Sequence, residues 1–154
     1  MKKTTKRVKL PPLARVMKRA DHLWSILVLL DGAIPKEPKT PCMVCGVKPA
    51  TTAHHIYHKG ANGRFRYDRR NGLPICTGCH LRERYNPTPV AFAAMNYMGI
   101  AKWIELGCDV QEWRGAYRWT RERLNLVVIA LEGMIASAAI PEDIRADAST
   151  PVEL

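Results

Sequence analysis

The chain has 154 residues, with 24 lysines and arginines against 14 acidic residues and a formal net charge of +10 at pH 7. That length favours one compact unit over two, and that charge favours a polyanionic partner, nucleic acid above all. A membrane surface could also attract such a charge, but no apolar run approaches the roughly 18 residues of a spanning helix and no secretory leader pattern follows the basic N-terminus, so a cytoplasmic, reducing setting is expected.

Residues 1–12 carry Lys2, Lys3, Lys6, Arg7 and Lys9 and end in Pro11 and Pro12, which reads as a flexible basic arm. From Leu13 to about Leu30, apolar residues recur at helical spacing through Val16, Ala20, Leu23, Trp24 and Leu27, predicting a first helix that Gly32 and Pro35 end. Short extended pieces are expected at 51–57 and 73–75, joined by a polar loop over 59–70, with a helix over 79–84. Thr88 and Pro89 predict the start of a helix reaching Leu106 and closing at Gly107. Asp109 and Glu112 have capping-box spacing and predict a last long helix to about Ala138, with Trp113 and Trp119 in the core. The domain expected is therefore a single unit over 13–140 with a motif-bearing centre at 41–84 and a frayed tail over 141–154.

Four of the five cysteines stand as two CxxC pairs, Cys42 with Cys45 and Cys76 with Cys79, in the turn-forming sequences CMVCG and CTGCH. Two such pairs in a reducing compartment are the pattern of a tetrahedral four-thiolate structural zinc site, a zinc knuckle. Cys108 stands apart and reads as a free core or boundary thiol.

Between the pairs lies AHHIYH, with His54, His55 and His58; Asn71 opens NGLPIC, and His80 directly follows the last cysteine. A closed zinc site should bring His80 near the strand of His54 and His55, which makes a second, open metal site plausible. The order HH, then asparagine before LxxC, then CxxCH resembles the HNH (ββα-metal) endonuclease superfamily. PCMVCG and NGRFRYDRRN are similar to phage recombination nucleases of the NinG type, and HHIYHKG with LPIC to those of the Ref type. The resemblance covers residues 41–84.

It implies an α+β fold, a small ββα-metal module with a four-cysteine zinc knuckle packed among flanking α-helices. It also implies hydrolysis of DNA phosphodiesters in phage-type recombination or in processing of branched or single-stranded DNA. By position, His55 falls on the general base and Asn71 on the residue that holds it, while His54 and His80 fall on the ligands of the catalytic metal. No carboxylate accompanies that ligand pair in the sequence, which suits Mn²⁺, Co²⁺, Ni²⁺ or Zn²⁺ better than Mg²⁺, although abundant Mg²⁺ stays open.

His58, Lys59, Arg64, Arg66, Arg69, Arg70, Arg82 and Arg84 crowd the loop and the helix after it and are read as DNA-backbone contacts, with a third metal ligand an equal alternative for His58. Arg114, Arg118, Arg121 and Arg123 would extend the track along the last helix. The alternative function is a non-catalytic zinc-finger DNA-binding protein using the same knuckle. RNA as substrate and a homodimer through the terminal helices both stay open. One geometric constraint stands: adjacent strand residues point to opposite faces, so His54 and His55 cannot both face one point but could flank a scissile phosphate.

Overall fold

A computed structural model describes residues 12–33, 39–113, 115 and 117–138. All but the last residue of the expected basic arm over 1–12, the expected tail over 141–154, Pro35 and Arg114 lie outside the described residues. Along the chain run helix α1 (Leu13–Asp31), strand β1 (Thr52–His55), strand β2 (Gly72–Ile75), helix α2 (Thr77–Glu83), helix α3 (Thr88–Met98), helix α4 (Ile100–Glu112) and helix α5 (Arg121–Ser137). The fold is mixed α+β, and among the described residues no helix is long and apolar enough to cross a membrane.

The apolar stripe of α1 buries Val16, Ala20, Leu23, Trp24 and Leu27 against Leu124, Leu131 and Ile135 of α5, closing the two ends of the described chain on each other. Complete burial of one large aliphatic side chain stabilises by about 2 kcal/mol, so this seam is a main source of stability. A second core surrounds the cysteines, with Leu73 and Ile75 of β2 and Val90, Ala93 and Ala94 of α3.

The strands pair antiparallel, with His54 opposite Leu73 and His55 opposite Gly72. Glycine is required there: a Cβ on Gly72 would collide with Val28 and approach Trp24 of α1, so its absence lets α1 lie directly on the sheet. All four residues of β2 are buried, whereas β1 has a cavity on its flank.

The C-terminal helices depart from expectation. Gly107 does not end a helix, and Asp109 with Glu112 does not start one; both sites lie inside α4. A Cβ at Gly107 would stand 3.2 Å from the Tyr57 hydroxyl, so this glycine serves close packing rather than termination. The actual breaks fall at Gly99 (φ 83°) and Gly115 (φ 148°), conformations that glycine adopts readily. Helix α5 instead starts at Thr120, whose side chain accepts from the Arg123 amide at 3.4 Å. Arg118 therefore precedes the last helix instead of riding on it.

Candidate metal centre and flanking cavity

The first CxxC sits in a tight hairpin. Cys42 N–H donates to Lys48 O at 2.9 Å, Gly46 N–H donates to Cys42 O at 2.8 Å, and Gly46 takes φ 66°. That turn points the Lys48 and Val47 amides at the Cys45 sulfur and lowers its pKa to about 6. The second pair caps α2, with the Cys79 amide 3.4 Å from Cys76 Sγ. Burial pushes the Cys79 thiol up to about 12. The four sulfur atoms lie within 4.8 Å of one another. A Zn–S bond of about 2.3 Å gives a tetrahedron edge of about 3.8 Å, so the cluster fits a zinc ion after small adjustments. Among the described residues this is the one group of three or more metal-binding side chains whose ligand atoms already converge. Cys108 is exposed on α4 rather than in the core.

The cluster anchors its surroundings. Met43 N–H donates to Pro74 O at 3.0 Å, tying the hairpin to β2, and Thr40 Oγ1 donates to Leu29 O at 2.8 Å, tying it to α1. It thereby sets the angle at which α2 leaves the sheet.

A cavity of about 550 Å³ lies where β1, α2 and α1 meet, lined among others by His54, His55, His58, Lys59, His80 and Arg84. The two adjacent histidines diverge, as a strand requires. His54 turns toward α2 and meets His80 edge-on, ring centroids 5.3 Å apart. His55 turns toward α1 and stacks on Trp24 at 3.9 Å, 14° from parallel. His54 is buried, and its pKa is lowered by desolvation first, with the charge of Glu83 opposing and His80 and His58 adding to the shift.

His55 is held in one orientation. Its Nε2 lies 2.9 Å from the Arg66 carbonyl oxygen, which can only accept, so Nε2 carries the proton and Nδ1 keeps the free lone pair. Arg66 is fixed in turn by a two-pronged contact with Asp21 of α1, Nε to Oδ1 at 2.7 Å and Nη2 to Oδ2 at 2.5 Å. Desolvation by burial, partly countered by the Arg66 carbonyl, lowers the His55 pKa to about 4, so the ring is neutral at pH 7.

Asn71 is fully buried behind this arrangement. Its Oδ1 accepts from Tyr57 N–H at 2.7 Å, and its Nδ2 donates to Tyr57 O and Phe65 O, each at 3.0 Å. It braces the segment leaving β1 and the turn before Arg66, and so acts on His55 through the backbone.

The arginines divide. Arg84 and Lys59 line the cavity, as does His58, whose Nδ1 accepts from the Gly60 amide at 3.2 Å. Arg66, Arg69 and Arg70, expected as phosphate contacts, are engaged by carboxylates of the chain. Arg66 holds Asp21, Arg69 holds Asp31, and Arg70 joins Asp68, Glu105 and Asp109 at 2.8–2.9 Å. The physical reason is that α1 and α4 bring carboxylates to the loop from distant sequence, and these neutralise it. Arg64 stacks over Trp113 at 3.8 Å, and Arg82 Nε donates to Gly78 O at 3.3 Å; neither lines the cavity. Trp113 is correspondingly half exposed, whereas Trp119 donates to Gly63 O at 3.1 Å and packs on the α1–α5 core.

The cavity also contains residues that sequence reasoning missed. Asp21 and Trp24 come from α1, and no sequence signal links them to the histidines. Glu83 also lines it and supplies the carboxylate missing from the expected pattern. Its spacing of three from His80 puts both on one face of α2, a signal the sequence did contain. No protein-family model, curated protein or solved structure matches this chain.

Proposed function

We propose that the chain is a metal-dependent endonuclease of the HNH kind, hydrolysing DNA phosphodiesters at the cavity beside β1, with the four cysteines holding a structural zinc. The observation that carries this reading is the placement of His54 and His55 on β1 and His80 on α2 around one cavity, beside the cysteine cluster. The net charge of +10 supports a nucleic-acid substrate.

His54 and His80 fit a divalent ion of borderline softness, since the two imidazoles already meet edge-on at one cavity wall. When bound, such an ion supplies stabilisation of the charge that builds on the phosphate and the leaving oxygen. His55 takes the proton from the attacking water at Nδ1, because Nε2 is committed to Arg66. Stacking on Trp24 and the Asp21–Arg66 pair keep that ring still. Its low basicity in the free protein rises when a phosphate places negative charge beside it. Lys59 and Arg84 hold the phosphodiester, and Asn71 positions His55 through the backbone.

A second reading, a zinc-braced DNA-binding module without catalysis, is favoured by one observation: only the cysteine ligands already converge among the described residues. Purified chain incubated with supercoiled plasmid, single-stranded DNA, four-way junctions and RNA, with Mn²⁺ or Mg²⁺, separates the two. Metal-dependent cutting of a DNA substrate is expected. Binding without cutting under every condition would leave the module reading.

A further inference from the structure

Glu83 is unlike the other acidic residues around the site. Asp21, Asp31, Asp68, Glu105 and Asp109 each meet an arginine, whereas among the described residues no ion pair or hydrogen bond engages the Glu83 carboxylate. Two cations, Lys59 and Arg84, line the same cavity without pairing with it. The Glu83 carboxylate is half-buried in a cavity it shares with His54 and His80, and its acceptor positions are free of any described partner.

Two candidate ligands line the same cavity, their atoms not yet converged with the Glu83 carboxylate as the cysteine sulfurs are with one another. Glu83 sits on the last turn of α2, three residues after His80, and shares the cavity with His54. We propose that Glu83 is the third protein ligand of the divalent ion held by His54 and His80, an inference that rests on the nuclease reading of this cavity. Two imidazoles from β1 and α2 and a carboxylate one turn along α2 would leave the remaining positions open for water and a phosphate oxygen. The carboxylate changes the preference expected from imidazoles alone, moving the site toward Mn²⁺ and Mg²⁺, which favour oxygen donors.

The test uses the zinc-loaded full chain and reads Mn²⁺ binding by electron paramagnetic resonance, independent of cleavage. Glu83→Gln keeps the side-chain volume and removes the charge. Because no ion pair or hydrogen bond from a described residue engages Glu83, zinc content and thermal midpoint should stay as in the parent. Mn²⁺ affinity should fall at least about tenfold, while Zn²⁺ affinity at the same site falls less. Glu83→Asp, which retains a carboxylate, should recover part of the Mn²⁺ affinity. A Glu83→Gln affinity within about threefold of the parent, with His80→Ala abolishing binding, overturns the role of Glu83 and leaves the nuclease reading intact. A parent chain that binds no Mn²⁺ overturns both.

Discussion

Replacing Asn71 with alanine should cost far more than its size suggests. The side chain is fully buried and makes three hydrogen bonds, to Tyr57 N, Tyr57 O and Phe65 O. Truncation orphans the half-buried Tyr57 N–H and C=O at roughly 1 kcal/mol each and removes one of two bonds to Phe65 O, which keeps the Asp68 N–H at 3.3 Å, at about 1 kcal/mol, for a total of roughly 3 kcal/mol. That is a large share of the roughly 5–15 kcal/mol that holds a domain of this size together. Urea unfolding followed by tryptophan fluorescence in zinc-containing buffer reads the loss directly. Asn71→Asp sharpens the test, since it keeps the acceptor for Tyr57 N–H but turns a carboxylate toward two carbonyl oxygens. It should be as damaging as alanine at pH 8 and partly recovered at pH 5, where a protonated acid can donate. An Asn71→Ala loss below about 1 kcal/mol would refute the bracing role.

Three further outcomes follow from the geometry. Gly72→Ala should displace α1 from the sheet and cost about 1–3 kcal/mol in urea unfolding, with weakened cleavage because Trp24 no longer backs His55; an unchanged midpoint would contradict the close approach. The chain should carry one zinc, released by a thiol-reactive mercurial with loss of the folded signal, and Cys76→Ser should purify zinc-poor and unstable; a stable, metal-free Cys76→Ser protein would remove the brace. His55 has its pKa lowered in the fold to about 4 from 6.5, so the unfolded chain binds the proton first as pH falls. The stability from the neutral ring is present above about pH 6.5 and is lost as pH drops toward 4. Discounted for partial solvent exposure, the loss between pH 7 and pH 5 should be about 1 kcal/mol relative to His55→Phe, and a relative gain on acidification would contradict the burial argument.

Features that depend on local spacing were legible in the sequence. The CxxC pairs, the two strands and the first helix need only near neighbours to be recognised, and their positions agree with the structure to within a few residues. The divergence of His54 and His55 also follows from strand geometry alone. What was misread depends on partners from elsewhere in the chain. Arg66, Arg69 and Arg70 look like free cations until α1 and α4 deliver carboxylates to them. Gly107 looks like a helix terminator until Tyr57 packs against it. Glu83 and Asp21 gain meaning only when α2 and α1 are placed on the strand.

The proposed role of His55 Nδ1 is to take a proton from water in a cavity that holds DNA. It is tested most directly by His55→Ala, with plasmid nicking in Mn²⁺ and DNA affinity measured on the same preparation. The account predicts nicking reduced by at least about a hundredfold with zinc content and DNA affinity retained. Nicking at the parent rate in a folded His55→Ala protein would contradict it.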